Sequence, residues 1–264
     1  MNGARGLVMA VALLALPLVL AGGASALLSQ GPKNRLDDWD RQGHIGDEAS
    51  WRRAVELLEL AAWLNPLDAE IPLALGRYHH WLGVSRGVLD EGRHAALVDA
   101  GRYYRRALVL RPRWSLAWMY LGDALVLDRR LRSGGLAALR KVLEIDPYGT
   151  YATQRALELM ALGWRLLEST DRCLFGAIVA YRDAWPKAWR SLGEDARERV
   201  VGRLPRGVLD EGRLRRLRNG LTAQRKVYVE ASFLERFAIG LRARPRDLAA
   251  RYCAPQGESG AASL

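Results

Sequence analysis

Residues 115–125, SLAWMYLGDAL, decide the fold of this chain. Trp118 is followed three and four positions later by Leu121 and Gly122, and Leu125 lies one turn further on. Apolar residues at that spacing share one face of an α-helix. A large residue on such a face fills the space between paired helices, and a glycine one turn later lets a neighbouring backbone approach. The preceding residues supply the partner helix. Ala100, Tyr104 and Ala107 place small, large and small side chains on one stripe, and Pro112 then ends the helix and turns the chain.

The same partner stripe occurs earlier as Ala54, Leu58, Ala61 and Pro66, and in degenerate form later as Gly135, Leu139, Val142 and Pro147. Each proline is followed by a first-helix pattern: Leu75-Gly76, then the Trp118 segment, then Ala156-Leu157 in place of Leu-Gly. Almost no alternating β-branched stretch appears between 68 and 167, so the predicted class is all-α, a solenoid of stacked helix pairs burying one continuous core. One spacing departs from the pattern. From Leu75-Gly76 to Ala100 the chain is 12 residues too long, which predicts a surface loop or short extra helix around VSRGVLDEGRHAAL. The string RGVLDEGR at 86–93 recurs at 206–213, either by chance in an Arg-, Gly- and Leu-rich chain or as equivalent loops of duplicated units.

At the N-terminus, residues 7–28 (LVMAVALLALPLVLAGGASALL) carry no charge. A helix of that length, rising about 1.5 Å per residue, reaches across a hydrocarbon layer. The amino terminus and Arg5 precede it and Asp37, Asp38 and Asp40 follow, which orients the N-terminus to the cytoplasm and the body to the far side. Ala24-Ser25-Ala26 also fits a cleavage site, so the segment reads as an inner-membrane anchor with a periplasmic body, or as a signal peptide that releases that body. The expected plan is an anchor or signal at 1–28, a juxtamembrane linker at 29–49, repeats at 50–168, a C-terminal helical region at 169–253 and a disordered tail at 254–264. Helices in the C-terminal region are expected at 172–184, 187–203, 211–221 and 223–242, punctuated by Pro186, Pro205 and Pro245.

Of 40 basic residues only Lys33, Lys141, Lys187 and Lys226 are not arginine, a bias that fits a GC-rich bacterial genome. Beyond Ala26 only Arg5 is lost from that total, and the net charge is +10. Export argues against nucleic acid; Arg105-Arg106, Arg129-Arg130 and 213–218 (RLRRLR) point to anionic lipid, an acidic glycan or an acidic envelope protein, or simply form a solvated face. No catalytic signature is present: G-x-S-x-G, P-loop, G-x-G-x-x-G and H-E-x-x-H are all missing. Asp38-Trp39-Asp40 spells D-x-D, the metal pattern of many sugar-nucleotide transferases, but no strand precedes it, and the expected setting is an exposed acidic turn. His79-His80 and His94 lack metal-ligand spacing, so no metal or cofactor is expected. Cys173 and Cys253 are open to a disulfide in an oxidising compartment, or are two semi-buried thiols.

Over 54–167 the chain resembles the tetratricopeptide family, at Trp118-Leu121-Gly122 and in the Ala54 and Ala100 stripes. The resemblance implies that first helices line a concave partner-binding groove. Its groove positions fall on Arg77, His80 and Trp81, on Met119 and Asp123, and on Tyr151, Gln154 and Glu158. The whole plan is also similar to VpsP-type proteins encoded with bacterial exopolysaccharide genes. That likeness implies a non-catalytic accessory of polysaccharide synthesis, assembly or export.

Overall fold

The computed structural model describes residues 2–88, 90–147, 151–190, 192–193, 195–230 and 245–253, without the side chains of 2–15, 188, 224, 227–230, 245 and 246. All regular structure among the described residues is helical. The chain divides into two compact units, Met1–Leu131 and Arg132–Leu264, and the division falls inside the 50–168 stretch read as repeats.

Unit 1 contains α1 (Asn2–Gln42), α2 (Glu48–Leu64), α3 (Glu70–Ser85), α4 (Glu91–Leu110) and α5 (Ser115–Val126). The proline stripes end where expected, α2 at Leu64 before Pro66 and α4 at Leu110 before Pro112. Asp47 opens α2 by accepting the Ser50 N–H at 2.8 Å, and Asp90 opens α4 by accepting that of Gly92 at 2.7 Å, each satisfying an orphan donor of a first turn. Ala54, Leu58 and Ala61 on α2 and Ala100, Tyr104 and Ala107 on α4 are all buried.

The seam between α3 and α4 corrects two expectations. A Cβ added at Gly76 would lie 2.5 Å from the Tyr104 ring, so this glycine admits an aromatic side chain and not a neighbouring backbone. The 12 extra residues form no extra helix, and only part of them stays in the exposed connection around Val88. The others lengthen α3 to 16 and α4 to 20 residues, joined directly through 86–90, because the added turns continue the seam where Leu97 packs into the space over Gly83.

The expected linker at 29–49 is likewise helical as far as Gln42. Leu36 and Trp39 are buried in one cluster with Ala54, Val55, Leu58, Ile71, Leu75 and Tyr78, so burial of this face keeps α1 helical through Pro32. The Pro32 carbonyl accepts the Tyr78 hydroxyl at 2.9 Å. Asp38-Trp39-Asp40 therefore lies on a helix with its tryptophan in the core, and is not an exposed turn. Among the described residues no helix is long and apolar enough to cross a membrane; the expected segment at 7–28 lies partly outside them, at the side chains of 7–15.

Unit 2 contains α6 (Arg132–Ile145), α7 (Tyr151–Leu162), a 3-10 turn (Trp164–Leu166), α8 (Ser169–Ala184), α9 (Pro186–Arg190), α10 (Ala196–Val201), α11 (Glu211–Glu230) and α12 (Pro245–Cys253). Helix α8 is its centre. Residues 174–180 (LFGAIVA) are all buried, and α6, α11 and α12 pack on it. A helix apolar on all sides requires such neighbours on all sides. Cys173 and Cys253 form a disulfide, Cα to Cα 5.7 Å, that ties α12 to α8. Pro186 and Pro245 begin helices, where a missing N–H leaves no bond unmade. Helix α11 runs without the break expected near 222; the remainder of the helix expected at 223–242 and the tail at 254–264 lie outside the described residues.

Candidate functional site

The groove positions implied by the repeat fall into three environments. In unit 1, Arg77 of α3 extends one Nη to Asp40 Oδ2 at 2.5 Å and to Asp37 Oδ1 at 3.2 Å, both on α1. The Trp81 indole donates to the other Asp40 oxygen at 2.8 Å. The Arg77 guanidinium also lies 5.5 Å from the centre of the Tyr120 ring. Burial works against the charge of Arg77, but Tyr120 and Asp40 outweigh it and hold the guanidinium above its ordinary range. Two of the expected partner-binding residues thus hold α1 against α3.

Around this lock the aromatic side chains are layered. Tyr104 and Tyr120 stack with ring centres 5.9 Å apart, and His80 meets Tyr104 edge-on at 6.5 Å. The Tyr104 hydroxyl is buried with no hydrogen-bond partner among the described atoms, and burial pushes its pKa well up. His80 and Asp123 are half-buried. Met119 is fully buried and belongs to the core, a departure from the expected groove face.

In unit 2, Tyr151 is exposed, whereas Gln154 and Glu158 lie buried one turn apart, joined by a 2.7 Å bond from the Gln154 amide. Arg155, Arg199 and Arg203 approach the Glu158 carboxylate at 3.6, 3.7 and 3.8 Å, so α10 and the turn after it bring positive charge onto this part of α7. The Arg199 and Arg203 contacts carry no local sequence signal, because their partner is some 40 residues earlier. Buried Arg182 of α8 was equally illegible; it sits 4.5 Å over the Trp189 ring, and burial pushes its pKa down to about 10 against the pull of Asp146.

The carboxylates and histidines do not converge. Asp38 pairs with Arg41 and both oxygens of Asp40 are engaged, which leaves D-x-D a packing role. His79 stacks on Tyr103 at 5.2 Å, and His94 Nδ1 lies 2.7 Å from Asp128 Oδ2. Among the described residues no three His, Cys, Asp or Glu side chains are grouped to hold a metal ion.

Two sets of exposed side chains stand out at the surface. Leu60, Trp63 and Leu67 stand exposed around the end of α2. Arg105, Arg106, Arg111 and Arg113 are exposed on α4 and the corner after it, and Arg215, Arg216 and Arg218 on α11. No family model, curated protein or solved structure matches the chain.

Proposed function

We propose that this protein is a non-catalytic scaffold of a bacterial cell envelope, a tetratricopeptide-like array with a C-terminal helical extension, held to the inner membrane by residues 7–28. Its body faces the periplasm and gathers envelope proteins, in the role of an accessory to exopolysaccharide synthesis, assembly or export. The supporting observation is the continuity of α1. One 41-residue helix, continuous through Pro17 and Pro32, carries the uncharged run and then the buried Leu36 and Trp39 and the Asp37 and Asp40 that grip Arg77. A membrane segment built this way is continuous with the helix that closes unit 1, which suits an anchored scaffold. The Cys173–Cys253 disulfide supports an oxidising compartment.

The test is fractionation of cells expressing the full chain, with protease added to spheroplasts. The expected protein keeps its N-terminus, resists carbonate extraction and is digested only from the periplasmic side. A mature N-terminus near residue 27 in the soluble fraction would replace the anchor by a released periplasmic protein, and a protease-resistant body would overturn export itself. Crosslinking in intact cells should capture polysaccharide-synthesis proteins.

A second reading has its own observation: Arg215, Arg216 and Arg218 lie exposed on one helix, a concentration of positive charge that suits an acidic glycan. Replacing the three with glutamate should abolish retention on an acidic polysaccharide column if glycan binding is direct. A transferase reading of Asp38 and Asp40 finds little support, since Arg41, Arg77 and Trp81 engage both carboxylates.

A further inference from the structure

Helices α1 and α2 are antiparallel in a register that two bonds define. The Ser25 hydroxyl donates to the Ala61 carbonyl at 2.9 Å, and Arg35 donates to the Ser50 carbonyl at 3.2 Å. That register sets the last turn of α2, 60–64, beside 22–26 of α1, inside the uncharged run that ends at Leu28. With about 1.5 Å per residue, the end of α2 lies about 9 Å below the end of that run, and the corner climbs from there to α3. Any side chain there meets whatever surrounds α1.

The composition of the corner answers to that position. Residues 60–67 (LAAWLNPL) contain no charge. Trp63 and Leu67 are 77% and 78% exposed, and Leu60 is exposed beside them. On α1, Leu18, Val19, Leu20 and Leu27 are exposed at the neighbouring levels, so the apolar surface of the corner continues that of the helix. A contiguous apolar patch of this kind, rimmed by polar groups, marks an interaction site. Charge returns on either side of it, at Glu59 on α2 and Asp68 before α3, and above it Lys33 bridges Glu70 at 3.2 Å.

The next corner along the same edge is different. Tyr104 facing Gly76 and Leu97 facing Gly83 make α3 and α4 antiparallel, which brings the end of α4 level with the start of α3. The α4–α5 corner there exposes Arg111 and Arg113, with the Arg111 guanidinium 4.2 Å over the Trp114 ring. Tryptophan and arginine side by side suit the boundary between acyl chains and anionic headgroups.

We propose that this edge of unit 1 is a membrane-docking surface: the α2–α3 corner inserts Leu60, Trp63 and Leu67 into the leaflet that α1 leaves, and Arg111 and Arg113 lie on anionic headgroups. The proposal rests on the membrane reading of 7–28 and adds to it a second attachment. A single helix leaves the array free to swivel about its axis; an inserted corner fixes which face meets the membrane.

The experiment uses the full chain, its native disulfide oxidised, in vesicles of phosphatidylethanolamine and phosphatidylglycerol. Single cysteines at Val19, Leu67 or Val88 carry a bimane probe, quenched by lipid with a nitroxide near the headgroup end of its acyl chain. Val88 is exposed on the α3–α4 connection, at the far end of α3. Quenching at Val19 and Leu67 should exceed that at Val88 several-fold. Trp63→Glu should remove it at Leu67 while leaving Val19 quenched. Replacing phosphatidylglycerol by phosphatidylcholine should weaken it at Leu67, and Arg111→Gln with Arg113→Gln should make it indifferent to that exchange. Quenching at Val19 with none at Leu67 overturns the docked corner and leaves the anchor standing. No quenching at either position overturns both.

Discussion

Unit 1 joins helices that are neighbours in the chain: α1 packs on α2, α2 on α3, and α3 on α4, each through a short turn. Unit 2 instead closes around α8, whose covering helix α12 arrives from far along the sequence and is bonded to it across 80 residues. The difference teaches where each unit is vulnerable. A fold of sequential pairs depends on seams between adjacent helices, whereas a fold closed by a distant helix depends on recovering the entropy of a long loop.

The largest effect should come from removing the distant tie. Cys173→Ser with Cys253→Ser frees an 80-residue loop, worth up to about 4.5 kcal/mol in the chain-entropy account. Hydrogen exchange read segment by segment should show α8 and α12 losing protection while α3 and α4 keep theirs. Equal loss in both would show that the two units unfold as one, and the contrast would fail.

Next comes tight packing, which both units use. A Cβ at Gly76 or at Gly176 would stand 2.5 Å from a tyrosine ring, Tyr104 or Tyr252. Overpacking of this order costs about 1–3 kcal/mol. Gly76→Ala should be the worse in urea unfolding, because Tyr104 is fully buried whereas Tyr252 retains 7% exposure from which to shift. A milder penalty at Gly76 would mean that the α3–α4 seam yields more readily than the α8–α12 contact.

The α1 lock is smaller. Asp40→Ala leaves Arg77 only the more exposed Asp37 and leaves the Trp81 indole without its acceptor, a loss of about 1 kcal/mol at this partly exposed site. Unit 2 should not respond. Limited proteolysis after residue 42 is the direct readout, and an unchanged cleavage rate would deny α1 its role in closing unit 1.

The smallest effect is a pH dependence confined to unit 1. His79 packs against Trp51 and Tyr103, and burial holds its pKa below the ordinary value, with Asp99 pulling the other way. The unfolded chain therefore takes up the proton first. Stability from His79 is complete above about pH 6.5 and falls as the pH drops toward the lowered folded value. His79→Phe should flatten that part of the profile in thermal melts; a slope left intact would assign it to other groups.

The helix pairs were legible because both their start and stop signals are local. Stripes at three and four spacing, a proline past each end and an aspartate before α2 and α4 act within a few residues of the helix they delimit. The two copies of RGVLDEGR make the same point. Asp90 and Asp210 each accept a backbone N–H at the first turn of a 20-residue helix, yet Gly207 adopts φ +74° and Gly87 does not. Local chemistry sets the cap, while the surrounding packing sets the approach to it. The candidate site was less legible. Arg77 and Trp81 could be placed on one face of α3, but that α1 would lie on that face depended on burial of Leu36 and Trp39 some 40 residues away.

The sequence alone determined the all-helical class, the stripes that pair α2, α3 and α4, and the uncharged run at the N-terminus, because periodicity, proline and charge act on the residues that carry them. Tertiary structure alone decided that α1 would close unit 1, that an insertion would lengthen two helices, that Cys173 would meet Cys253, and that Leu60, Trp63 and Leu67 would stand beside the apolar run. Those outcomes turn on which buried faces find each other across the chain, and such long-range complementarity leaves no mark in any short stretch of residues.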